Sequence, residues 1–140
     1  MKVHHFGYIT SNLDNGENNL FSLFGFEPEG TVVVDDGRRI RIQFMKNDSA
    51  RIELIEPIDS ESPFYSLLKK YKNCFYHICY ETENMHEDIR LLRSKGFVQT
   101  TKISPAPALG NRNVVFLLSP KIGLIELLEM ESNEGIGISV

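Results

Sequence analysis

The chain has 140 residues, 41% hydrophobic and 24% charged, with a formal net charge of −4. That size and balance suit one compact soluble domain with a buried core. The acidic balance offers no basic footprint for nucleic acid or membrane lipid, and no run of 18 apolar residues is present to span a bilayer. The N-terminus lacks an apolar signal region. Cys74 and Cys79 fall where one extended strand would hold them apart, so they read as free thiols of a reducing cytoplasm.

In chain order, Val3 to Thr10 is expected to form a strand. Asn12 is placed to cap a helix from Leu13 to about Phe24, with Leu13, Leu20, Leu23 and Phe24 as its apolar side and Gly25 as its stop. A strand from Phe26 to Val34 follows, then a turn at Asp35-Asp36-Gly37. Arg39 to Met45 returns, and Ala50 to Glu56 makes the fourth strand. Ser62 and Pro63 open a connecting helix that shows one apolar stripe, Phe64, Leu67, Leu68 and Tyr71. The pattern then restarts. Phe75 to Glu81 reads as a strand, and Asn84 with Glu87 forms a capping box before a helix that Gly96 ends. Strands are expected at Phe97 to Ile103, Asn113 to Leu118 and Leu124 to Glu129, with a Pro- and Ala-rich loop from Ser104 to Asn111. The tail from Glu131 carries no readable pattern.

The restart is a repeat. His5-x-x-Tyr8-x-Thr10-x-Asn12-Leu13 recurs as His77-x-x-Tyr80-x-Thr82-x-Asn84-Met85, and Ile52-Glu53-Leu54-Ile55-Glu56 recurs as Ile125-Glu126-Leu127-Leu128-Glu129. The interval from His5 to Glu53 is 48 residues and that from His77 to Glu126 is 49. Two βαβββ units, about 3–57 and 75–130, joined by a helix near 62–72, therefore make up one α+β domain. Side chains alternate along a strand. The helices need an apolar sheet face, and Phe6, Tyr8, Ile52, Leu54, Ile78, Tyr80, Ile125 and Leu127 supply it. By elimination His5, Glu53, His77 and Glu126 lie on the other face, and they converge if the two sheets curve toward each other.

Two imidazoles and two carboxylates suit one divalent ion (Zn, Ni, Co, Mn or Fe) with positions left for water or substrate. The alternative is a metal-free polar cluster. On the same grounds Cys79 lines the pocket on the His77 face, and Glu56 and Glu129 are solvated. In a regular strand His4 points away from His5, as a packed or partly exposed histidine. Arg41 and Arg112 are candidates to hold a substrate carboxylate or phosphate, the alternative being solvated arginines, and Gln43 sits with Arg41 on a third strand that has no carboxylate.

The segments His5-Phe6-Gly7-Tyr8, Ile52-Glu53-Leu54-Ile55-Glu56-Pro57, Tyr76-His77-Ile78-Cys79-Tyr80 and Gly123-Leu124-Ile125-Glu126-Leu127 resemble the vicinal oxygen chelate superfamily, in particular its methylmalonyl-CoA epimerase-like branch. The likeness runs from residue 3 to about 129. It implies paired βαβββ modules forming an open, cupped barrel, usually in a homodimer. It also implies His5, Glu53, His77 and Glu126 as metal ligands, with Glu126 also moving a proton α to a carbonyl or thioester of a small-molecule substrate. Glyoxalase I-like lyase chemistry and non-catalytic ligand binding of the bleomycin-resistance type are the alternatives within the same family. Ser119 departs from the branch, which typically has His before Pro-Lys.

Overall fold

The computed structural model describes residues 1–13 and 17–131. Among the described residues, nine strands share one sheet: β1 (Lys2–Ile9), β2 (Glu27–Asp35), β3 (Ile40–Asn47), β4 (Ala50–Pro57), β5 (Cys74–Thr82), β6 (Val98–Gln99), β7 (Ser104–Ala106), β8 (Arg112–Ser119) and β9 (Gly123–Glu129). Three helices accompany them: α1 (Glu17–Ser22), α2 (Tyr65–Tyr71) and α3 (Met85–Ser94). The fold is mixed α+β, with the sheet open and cupped.

The strand order is β2-β3-β4-β1-β5-β9-β8-β6, with β7 also pairing β8. β1 runs parallel to β4, and β5 runs parallel to β9. The antiparallel pair β1–β5 joins these two arrangements at the centre of the sheet. The first and last strands, β1 and β9, thus flank β5 in the middle of the sheet, not at its edges.

Three apolar clusters divide the two faces. On the convex side, Leu13, Met45, Ile52 and Leu54 pack with Phe21 of α1, and Val115, Leu117, Ile125 and Leu127 pack with Met85 and Ile89 of α3. The largest cluster fills the cup. It includes Ile9, Ile40, Ile42, Phe44, Ile55, Val114 and Leu128, and Phe64 and Leu68 close over it from the α2 segment. Alternation therefore puts Glu53 and Glu126 inside the cup, since their neighbours Ile52, Leu54, Ile125 and Leu127 face the helices.

Several local expectations change. α1 begins at Glu17, and the expected helical positions Asp14 to Gly16 lie outside the described residues, as does the tail from residue 132. Leu20, Leu23 and Phe24 are not an inward stripe. All three are exposed: Leu20 lies on the outer side of α1, and Leu23 and Phe24 fall after its end at Ser22, in the turn before Gly25, whose φ is +85°. Phe6, expected under a helix, is 38% exposed. The expected strand from Phe97 to Ile103 shrinks to two residues. The loop after it instead contains β7 and a 3-10 turn at Pro107–Leu109. Pro105 lacks an amide donor and sits on this short edge piece, a position that tolerates it. Asn84 caps α3 as expected, its side chain accepting from the Glu87 amide. Among the described residues no helix is long and apolar enough to cross a membrane.

Candidate metal centre

His5, Glu53, His77 and Glu126 come from β1, β4, β5 and β9, four adjacent strands at the centre of the sheet. All four are 4% exposed or less. One donor atom from each lies within 4.8 Å of every other. The two Nε2 atoms are 3.3 Å apart. Glu126 Oε1 is 3.2 Å from each of them, and Glu53 Oε1 is 3.4 Å from His5 and 3.8 Å from His77.

The geometry suits a cation. Glu126 Oε1 is buried and has no hydrogen-bond partner among the described residues, despite its nearness to both rings. Buried oxygens are ordinarily satisfied, and here two nitrogens and two oxygens aim at one point that a divalent ion would satisfy. Electrostatics favour positive charge at that point. Burial pushes the His5 pKa down, but Glu53 and Glu126 outweigh it and raise it to about 9. Burial pushes the Glu126 carboxyl up, and His5 and His77 overcome this and hold it well below the usual carboxylate range.

Local backbone detail completes the site. Gly7 pairs with His77 across the central strands, and a Cβ there would stand 2.0 Å from His77 Cε1. Only glycine leaves room for the imidazole. The β1–β5 register shifts between Val3 and His5 and again between Gly7 and Tyr8. The first shift leaves His4 as an extra residue, and the second does the same for Tyr76. Each then turns its ring beside a site histidine. His4 Nδ1 lies 2.8 Å from His5 Nδ1, and the Tyr76 ring stands edge-on to His77 with centroids 4.5 Å apart. His4 is kept neutral: burial, His5 and Arg51 lower its pKa to about 3. Tyr76 Oη is buried without a partner among the described residues, and burial with the negative Glu53 and Glu126 raises its pKa. Phe44 and Phe116 add edge-on rings beside His5 and His77. Parity in regular strands could not find His4 or Tyr76, although Gly7, a glycine inside a strand, is a signal of close approach.

Arg41, Gln43 and Arg112, also singled out in the sequence, are not gathered at this point, whereas Cys79 lies beside it. Arg41 pairs with Glu56 at 2.8 Å, and Glu56 also accepts the Leu13 amide, so Glu56 is an anchor for the chain entering α1, not a solvated carboxylate. Gln43 is buried on the opposite face of β3 from Phe44 and donates to the Gly30 carbonyl. Arg112 contacts Glu81 and the Leu109 carbonyl and lines a pocket of about 220 Å³ beside His4. Cys79 is fully buried and its donor atom groups with His4 and His5, but burial and the nearby carboxylates push its thiol far up, which removes it as a nucleophile.

A cavity of about 20 Å³ lies against Glu53 and Glu126, with Ile40, Phe64 and Phe116 among its walls. That is room for about one water. The carboxylate Asp35, 3% exposed at the end of β2, lines the same cavity. Nothing in the sequence pattern marked it beyond a turn.

An open, cupped sheet with a His/Glu/His/Glu centre at its seam defines a class of protein, and residues 4–116 match the model of the Glyoxalase/Bleomycin resistance protein/Dioxygenase superfamily. The chain belongs to that superfamily. It is 29% identical over 134 residues to the mitochondrial methylmalonyl-CoA epimerase of Dictyostelium discoideum, spanning 93% of this chain and 77% of the relative. Its fold is that of a hypothetical protein from Bacillus halodurans C-125 (TM-score 0.80, 22% identity, 94% of this chain and 95% of the other). The methylmalonyl-CoA epimerase of Mycobacterium tuberculosis shares it too (TM-score 0.77, 22% identity, 96% and 91%).

Proposed function

We propose that this chain is a divalent-metal-dependent isomerase that moves a proton α to a carbonyl or thioester, with chemistry of the methylmalonyl-CoA epimerase kind. The observation that carries the reading is the convergence of His5, Glu53, His77 and Glu126, with Glu126 Oε1 left unsatisfied beside a cavity. The likeness to a methylmalonyl-CoA epimerase at 29% identity supports it. A bound divalent ion would supply Lewis-acid stabilisation of the negative charge that develops when the proton leaves. His5, Glu53, His77 and Glu126 would hold that ion. Glu126 is placed to accept the α-proton, being buried at the seam and lining the cavity. The apolar walls Ile40, Phe64 and Phe116 exclude water from the carbanion-like species. We further read residues 3–57 and 75–130 as two copies of one module in a single domain that works as a homodimer.

Return of the proton to the opposite face of the carbon calls for a second acid. Asp35 lines the cavity but is engaged by Arg38 at 2.8 Å. That engagement favours a second reading, a glyoxalase I-like lyase in which one carboxylate removes and returns the proton. One experiment separates the readings. The protein is reconstituted in turn with Zn, Ni, Co, Mn and Fe(II), and given racemic methylmalonyl-CoA, or methylglyoxal with glutathione, in D2O. Exchange of the α-proton of the thioester, lost in Glu126→Gln, is expected. Lactoylglutathione formation instead would select the second reading, and no turnover of either substrate with any of the five metals would sink both.

A further inference from the structure

The cavity at the centre is too small for any acyl group, but it adjoins a larger space. A cleft of about 580 Å³ runs outward from it and shares Arg38, Phe64, Val114 and Phe116 with its wall. The cleft is mainly apolar, with Leu67 and Leu124 beyond the two aromatic rings, whose centroids are 6.5 Å apart. Arg38 and Lys102 line it, and no Asp or Glu among the described residues does. An apolar trough with two cations and no acid suits an amphipathic anion.

Arg38 stands where trough and centre meet. Its Nη1 donates to Asp35 Oδ2 at 2.8 Å and to the Pro105 carbonyl at 2.9 Å, and its Nη2 donates to Ser104 Oγ at 2.7 Å. Asp35 is buried, accepts the Arg38 amide as well, and so fixes the guanidinium from behind. The Ser104 and Pro105 contacts tie the β2–β3 turn to β7 on the far side of the cup. They are single neutral contacts to an edge strand, and a carboxylate offers a guanidinium a stronger, two-pronged partner.

We propose that Arg38 is the residue that recognises an acid group on the acyl substrate, exchanging Ser104 and Pro105 for that carboxylate as the substrate enters from the Phe64–Phe116 side, while Asp35 keeps it aimed. The proposal rests on the acyl-thioester reading above and adds to it the residue that reads the acyl group's carboxylate. The test measures binding of methylmalonyl-CoA and propionyl-CoA, which differ by that carboxylate alone, to the metal-loaded protein by calorimetry. Wild type is expected to prefer the carboxylated ligand, and Arg38→Gln to lose about tenfold or more of that preference with propionyl-CoA binding and metal content unchanged. Ser104→Ala removes only the resting partner and should keep or strengthen the preference. If Arg38→Gln discriminates like wild type, or Ser104→Ala loses discrimination to the same degree, Arg38 is a strap between strands and the proposal fails. Arg38-dependent discrimination without α-proton exchange would overturn the epimerase reading alone. Exchange with an indifferent Arg38→Gln would overturn this inference alone, and a wild type that binds neither thioester would overturn both.

Discussion

Gly7→Ala is the sharpest test of the centre, because it adds one methyl group on a strand and touches none of the proposed ligands chemically. The new Cβ would lie 2.0 Å from His77 Cε1, 2.2 Å from Nδ1 and 2.7 Å from Nε2, against an ordinary contact of 3.4 Å or more. The imidazole must therefore shift by about 1.4 Å, seven times the roughly 0.2 Å that a metal–ligand bond tolerates. It has little room to do so, with Tyr76, Phe116 and His5 rings within 4.5–5.4 Å of it, centroid to centroid. Overpacking of this kind costs about 1–3 kcal/mol of stability, or a fall in Tm of about 3–10 °C for a chain of this size. Loosening a ligand's support alone costs about 10–100-fold in metal affinity, so displacing the ligand should cost more than about 100-fold. Metal titration calorimetry and thermal melts of Gly7→Ala would be compared with Gly37→Ala, whose Cβ meets only Asp35 Oδ1 at 3.6 Å. A folded Gly7→Ala that binds metal with wild-type affinity would refute the claim that His77 Nε2 is a ligand held by this close approach.

Replacing His77 or Glu126 by Ala should abolish stoichiometric metal in the purified protein by elemental analysis, and retention in both variants would remove the proposed ligand set. A thiol-specific reagent should titrate one cysteine in the native protein, exposed Cys74, and two once guanidinium releases buried Cys79; Cys79→Ala should keep its metal. Arg41→Met should cost about 1 kcal/mol or less, read from chemical denaturation, and leave metal content and substrate KM unchanged, since Arg41 serves Glu56 at the entry to α1. Arg51 hydrogen-bonds Glu29 and holds its pKa below the usual 4.5. The stability this pair contributes is full above the unfolded pKa and is lost as pH falls through the lower folded one. Arg51→Gln should therefore flatten the stability profile below about pH 4.5.

Repetition and alternation make the sheet and the placement of Glu53 and Glu126 legible in the sequence. The doubled Ile-Glu-Leu strands needed only the period of two to place Glu53 and Glu126 opposite the helices, and both lie there. What alternation could not supply were the departures from it. Bulges at His4 and Tyr76 rotate side chains that a regular strand sends outward, and beyond Gly7, a glycine inside a strand, residue identity gives little sign of them. Glu56 reads as a solvated strand end until the chain entering α1 folds back to offer it the Leu13 amide. Asp35 and Arg38 occupy a turn, where composition explains their presence without any ligand, and only the packing of Phe64 and Ser104 against them gives them a neighbourhood. The apolar residues after α1 failed because an apolar stripe presumes a helix long enough to carry it.

The antiparallel seam between β1 and β5 has a consequence for assembly of the molecule. Residues 1–57 contribute one nitrogen and one oxygen to the centre, and residues 74–129 contribute the same. Neither stretch alone offers more than a two-donor fragment. An ion bound at the seam would be a cross-link between the fifth residue and the last strand, present only once both ends of the chain have docked. It would add about 2.7 kcal/mol to stability at a free concentration 100 times its Kd. A chain that stops before β9 would lack Glu126 and leave the ion only three donors, so tight metal binding would report that the last strand has docked.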